Sequence, residues 1–238
     1  MADWKRQTSE TYRVGILLAA AGGFLDAYTF LCRGHVFANA QTGNIVLFGV
    51  SLARGDLGGA GYYLMPIAAF FCGIMLAELV KESMRESRFI HWRQVIIAAE
   101  IAALAAVAFV PNGDVPDMCA NVVVSFICSL QVEAFRKVHG RAYATTMCTG
   151  NLRSATENLY RYRSTGEREL LRSSLEYFGI ILFFIIGAAA GALLTAALPP
   201  TAALMPAALP PANFLLMIRY QPQCLPTVVN QSHPTPLF

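Results

Sequence analysis

Charge is scarce in this sequence. Of its 238 residues only 14% are Asp, Glu, Lys or Arg, against about a quarter in an average soluble domain. The net charge is +3, too small to argue for nucleic acid as a partner. Where Lys and Arg stand matters more than their sum. The six cysteines (Cys32, Cys72, Cys119, Cys128, Cys148, Cys224) form no Cys-x-x-Cys pair. The first five sit in or beside apolar runs and read as small buried hydrophobes, not as a disulfide framework or a metal site. No GxSxG, HExxH, phosphate loop or dinucleotide fingerprint is present. No catalytic residue, metal or cofactor is therefore expected.

Apolar residues fill the gap. They make up 55% of the chain, and the mean hydropathy is +0.48. These values exclude a disordered chain, a coiled coil and most soluble folds. They describe an all-α, multi-pass membrane protein. The polar start, residues 1–13, lacks the apolar core and small-residue cleavage site of a signal peptide. It is expected to be a short cytoplasmic N-terminus ahead of a retained helix.

A span needs about 20 mostly apolar residues. Val14–Leu31, Gly61–Val80, Val95–Val110 and Tyr177–Leu198 meet that need, and Met118–Phe135 meets it less well. Val36–Ala53 is apolar only in its second half. Ala142–Tyr162 is polar throughout and carries Arg153, Glu157 and Arg161, too costly to span facing lipid. Prolines 199, 200, 206, 210 and 211 interrupt the last apolar stretch, 201–218. A span there is kinked. Residues 219–238 read as a disordered tail.

Two segments of the chain resemble each other at a constant offset of 107 positions: Asp26 with Glu133, Ala27 with Ala134, Thr42-Gly43-Asn44 with Thr149-Gly150-Asn151, Arg54 with Arg161. After a short insertion, Tyr63, Phe70 and Gly73 match Tyr177, Phe184 and Gly187. The expected repeats are 14–110 and 118–218. Basic residues stay cytoplasmic. Lys5, Arg6 and Arg13 set the N-terminus inside, and Lys81, Arg85, Arg88 and Arg93 mark the next inner loop. The loop Asn112–Asp117 has no basic residue and faces out. These constraints hold together if Val36–Ala53 enters and leaves on the outer side and Ala142–Tyr162 on the inner side. The result is about six spans plus two short re-entrant or broken TGN helices, in two copies of opposite orientation, as in many secondary transporters.

The residues that carry the repeat also carry a family resemblance. GGFLDAYTFLCRGHVFANAQTGNIVLFGVSLARGD (22–56) and YATTMCTGNLRSATENLYRY (143–162) resemble the two signatures of the YoaK-type membrane proteins, a bacterial family defined by a domain of unknown function. The resemblance runs from about Gly15 to Leu198. It implies a multi-pass protein of the bacterial inner membrane, and it supplies no reaction. Members end in one more ordinary apolar helix, whereas this chain has the Pro-interrupted stretch and a long tail.

Asp26 is the sharpest single residue. Lying 12 positions into its apolar run, it sits about 18 Å deep in a core about 30 Å thick. A charge there costs about 2.5–3.5 kcal/mol on insertion scales. It reads as a proton or cation site, or as a hydrogen-bond partner for a neighbouring helix. Glu133, its repeat mate, has Lys137 four residues on and reads also as a surface ion pair. Glu100 is expected to pair with a basic residue of another helix. Asn39, Gln41, Thr42, Gly43 and Asn44 form one polar cluster, and Thr145, Thr146, Thr149, Gly150 and Asn151 the other. Two broken segments meeting near the midplane aim helix ends and amides at a small solute; the alternative is interhelical packing through small residues. Arg153 and Arg161 form a charge ladder with Glu157, either a solvated face or a contact for anions or lipid headgroups. His35 and His139 are interfacial. Gly187 and Gly191 make a GxxxG packing motif, within the chain or in a homodimer.

The expected partners are the lipid bilayer and a small solute. Two function classes follow: a small-solute transporter or channel, proton-coupled through Asp26, or a membrane scaffold whose polar residues only pack helices.

Overall fold

The structure, a computed structural model, describes residues 12–84, 92–135, 137–138, 141–142 and 148–197. Its helices are α1 (Tyr12–Cys32), α2 (Gln41–Ala53), α3 (Leu57–Ser83), α4 (Trp92–Val107), α5 (Asp114–Ala134), α6 (Cys148–Thr165) and α7 (Arg168–Ala197). A two-residue antiparallel pair, β1 (Lys137–Val138) with β2 (Arg141–Ala142), follows α5.

Helices α1, α3, α5 and α7 are long and apolar enough to cross a bilayer. The 16 residues of α4 reach only about 24 Å. Helix α2, with 13 residues, reaches about 20 Å, less than a hydrocarbon core of about 30 Å. The expected sixth span, 201–218, lies outside the described residues. So do residues 1–11, the tail, His139, Thr145 and Thr146.

Hairpins α2–α3 and α6–α7 each turn on a glycine in the left-handed region, Gly55 (φ +71°) and Gly166 (φ +73°). Asp56 then caps α3 by accepting from the Gly59 amide at 2.9 Å, satisfying one of the donors a helix start leaves open. Helix α7 begins nine residues before the apolar run of the sequence. No breaker stands between Gly166 and Tyr177, so the helix extends beyond its apolar part.

The packing is crosswise. Helix α1 lies chiefly on α7 and α3 chiefly on α5, while α2 packs on α3, α6 on α7 and α4 on α5. Small residues permit the two main contacts. A Cβ on Gly187 would strike the backbone of Ala20, and one on Gly191 that of Phe24. The GxxxG motif is thus occupied by α1. On the other pair, a Cβ on Gly73 would strike Ser129 and the Phe126 carbonyl.

These contacts fix directions. Positions advance together along α1 and α7 (Tyr12 with Gly179, Ala20 with Gly187, Phe24 with Gly191), so the two run parallel. Along α3 and α5 they also advance together, from Tyr62 with Asn121 to Gly73 with Phe126 and Ser129. Between α1 and α5 they run opposite. Phe24 and Tyr28 share a core with Ala120 and Val124, whereas Val14 and Leu18 share one with Leu130 and Ala134.

The cysteines divide differently from expectation. Cys128 is buried and Cys32 and Cys148 are half-buried, but Cys72 and Cys119 are exposed. An apolar run in a membrane protein has an outward side, and these two stand on it.

Candidate functional site

After α1 the chain turns back along it. The rings of His35 and Phe37 pack on Phe30 at 5.0 and 4.7 Å. The Asn39 side-chain amide donates to the Gly22 carbonyl at 3.2 Å. Gly22 lies ten residues before the end of α1, so this return covers about 15 Å. There α2 begins, beside Asp26.

Asp26 is 5% exposed. Its Oδ1 accepts from the Asn39 amide at 2.7 Å and the Ala40 amide at 3.3 Å. It thereby holds the start of α2, where open amides and the helix dipole favour a negative group. Its Oδ2 is buried and has no hydrogen-bond partner among the described residues. Asn44 secures the return segment. It accepts from the Phe37 amide at 3.0 Å and donates to the Phe37 carbonyl at 2.7 Å and to Gln41 Oε1 at 2.9 Å. Gln41 donates to the Ala38 carbonyl at 2.9 Å. Gly43 must lack a Cβ, because one would lie 2.7 Å from the Phe37 ring.

The second TGN segment forms the first turn of α6. Asn151 is buried at 2% exposure, as Asn44 is at 0%. Thr42, Thr149 and Gly150 are exposed. The thiol of Cys148, first residue of α6, lies within electrostatic reach of Asp26. The carboxylate that holds the start of α2 is thus felt at the first residue of α6. Glu133, half-buried near the end of α5, stands apart from that point. Arg153, Glu157 and Arg161 are exposed on α6, and no ion pair joins them among the described residues.

Three features differ from the sequence expectations or lie outside them. The first is Glu100, 1% exposed on α4. Its partner is an amide and not a base: Gln131 donates to Glu100 Oε1 at 2.7 Å. The expected basic partner is absent among the described residues because the α5 face it meets carries only neutral polar groups. The second is that face itself. Asn121, Ser125, Cys128 and Gln131 are all buried and continue from Asp117 at helical spacing. That spacing is visible in the sequence. Cys128 stands beside Asn39 and within electrostatic reach of both Asp26 and Glu100.

The third is Arg33, whose side chain is fully buried. It bonds Tyr28 Oη at 2.8 Å, Asp117 Oδ1 at 2.9 Å, and the carbonyls of Val110 and Pro111 at 2.9 and 3.0 Å. Burial disfavours its charge, but the bonds to Asp117 and Tyr28 prevail and hold the guanidinium above its usual pKa. Arg33 thus ties the end of α1 to the carbonyl end of α4 and the start of α5. Above it opens a cavity of about 460 Å³, lined in part by Gly34, Tyr62, Asp114 and Asp117. At its base Asn121 donates to the Arg33 carbonyl at 2.5 Å, as Tyr62 does at 3.1 Å.

The family described as protein of unknown function (DUF1275) matches residues 14–217. The chain is 26% identical over 204 residues to the UPF0700 transmembrane protein YoaK of Bacillus subtilis (strain 168), covering 81% of this chain and 87% of that protein. No solved structure matches.

Proposed function

The chain belongs to the DUF1275 family, and on that footing we propose that this membrane protein moves a small solute through two copies of one unit set in opposite orientations. Asp26 is its coupling carboxylate. Helices α2 and α6 are the re-entrant segments. The membrane is the bacterial inner membrane, with the N-terminus cytoplasmic.

One observation carries this reading. A buried carboxylate with an unpartnered oxygen holds the start of one short helix, and the first residue of the other lies within electrostatic reach of it. Helix starts and amides converging deep in a bundle are how inverted-repeat transporters hold solutes. Support for the inverted arrangement comes from the directions: α1 antiparallel to its repeat mate α5, and each lying parallel to the third helix of the other copy.

The second reading, a scaffold, draws on the same residue, because Asp26 Oδ1 holds α2 in place. The substitution Asp26→Asn separates the two. Asn keeps an oxygen for the Asn39 and Ala40 amides and loses only the ionisable site. In proteoliposomes with a trapped pH dye, challenged with small neutral, anionic and cationic solutes, the wild type moves protons with a solute. Asp26→Asn is equally folded and inert. Full solute-dependent proton movement in that variant, or none in the wild type across the panel, overturns the proposal.

A further inference from the structure

Among the described residues, seven buried side-chain atoms have no hydrogen-bond partner: Asp26 Oδ2, Asn39 Oδ1, Glu100 Oε2, Asn121 Oδ1, Ser125 Oγ, Gln131 Oε1 and Thr195 Oγ1. Five of these are oxygens that only accept, and buried polar groups are nearly always satisfied. The shortage is one of donors, and it has a pattern. Glu100 and Gln131 share one bond, from Gln131 Nε2 to Glu100 Oε1, and each keeps one orphaned oxygen. At Asp26 the donor is a backbone group, the Asn39 N–H to Asp26 Oδ1, and Asp26 Oδ2 and the Asn39 side-chain oxygen are again orphaned. Each site thus holds a carboxyl oxygen and an amide oxygen that lack a donor, and at Glu100 the two belong to one hydrogen-bonded side-chain pair.

A proton supplies that donor. A protonated carboxyl presents one O–H and an accepting oxygen; an ionised carboxyl only accepts. No basic side chain among the described residues acts on either carboxyl, and an unpaired buried charge neutralises before it persists. The groups facing Glu100 are Gln131 and the Cys128 thiol from α5, and that thiol is also within electrostatic reach of Asp26 of α1. Helix α3 contributes Ala77 to the surrounding core. Those facing Asp26 are Asn39, the Cys128 thiol and, from α6, the Cys148 thiol.

We propose that Glu100 is a second proton-binding site beside Asp26, in which the carboxyl takes one proton and pairs with the Gln131 side-chain amide. The bound proton sits on Oε2 and leaves it as H⁺ when the site opens to water, so the chain binds and releases protons at two carboxyls, both within electrostatic reach of Cys128. The site stands whether or not the chain moves a solute.

The test is Glu100→Gln, whose Nε2 supplies the missing donor permanently, beside Glu100→Ala, which removes both partners. Infrared spectra of the reconstituted protein, titrated from acid to alkaline pH, report the carbonyl stretch of protonated carboxyls. The wild type shows a band persisting at neutral pH. Glu100→Gln and Asp26→Asn each remove part of it, and the double variant removes it all. Thermal stability of the wild type falls as pH rises, because the folded chain holds protons that the unfolded chain releases at neutral pH. In Glu100→Gln that fall is shallower, and at pH 7 its melting temperature equals or exceeds that of the wild type, whereas Glu100→Ala melts lower. A neutral-pH band unchanged in Glu100→Gln overturns the proposal. So does a Glu100→Gln protein that melts as low as Glu100→Ala or does not fold. Stabilisation of the wild type by Na⁺ with no dependence on pH puts a cation where the proton is assigned and overturns it too.

Discussion

Asp26 divides its two oxygens between two tasks. Oδ1 holds the amides at the start of α2, and Oδ2 is left over. Asp26→Ala orphans both amides and costs about 2 kcal/mol, since a buried unmade bond costs about 1–3 kcal/mol. Asp26→Asn costs under about 1 kcal/mol. Melting in detergent measures both, and equal losses would show that the charge and not the acceptor holds α2. Arg33 is the larger structural residue. Arg33→Met leaves Asp117 and the carbonyls of Val110 and Pro111 without their donor, a loss of about 3 kcal/mol, the lower end for a broken buried pair because Asp117 is 15% exposed. Adding Asp117→Asn recovers part of it. An unchanged melting temperature in Arg33→Met would contradict that role. Asp26 was legible in the sequence, because an ionisable residue far inside an apolar run stands out. Arg33 was not, since an Arg just past a helix end looks like any interfacial charge. Glu100 was noticed with the wrong partner, because sequence shows depth along a helix but not which face of a neighbour it meets.

At the scale of elements, the apolar runs located α1, α3, α4, α5 and α7, and the TGN segments marked the starts of α2 and α6. Ends were less legible. The start of α7 lies in polar sequence, where hydropathy carries no signal. The glycines were legible by type but not by use. A Cβ on Gly187 meets the Ala20 backbone, whereas nothing lies within 4 Å of one on Gly61. Gly187→Ala therefore pushes α1 and α7 apart and costs about 1–3 kcal/mol. Gly61→Ala, in an open stretch of α3, is neutral or stabilises by up to about 1 kcal/mol through helix propensity. Denaturation of the two variants under one condition compares them. Equal effects would mean that α1 and α7 do not approach as closely as their backbones indicate.

For the whole molecule, the order of the long helices was readable from the apolar runs, and their crosswise pairing was not. The matching of Gly73 with Gly187 suggests α3 and α7 as counterparts. It does not show that each lies against the first helix of the opposite copy. That arrangement packs α1 on α7 and α3 on α5 in one bundle, and the proposed inverted topology sets the far ends of α2 and α6 on opposite sides of the membrane. The turns after them carry exposed residues suited to labelling, Arg54 and Glu167. The most direct measurement uses Arg54→Cys and Glu167→Cys, each alone in a chain whose six native cysteines are replaced. An impermeant thiol reagent is applied to right-side-out and to inside-out vesicles. The inverted arrangement predicts labelling of the Arg54→Cys chain from the outer face and of the Glu167→Cys chain from the cytoplasmic face. Labelling of both from one face would contradict it.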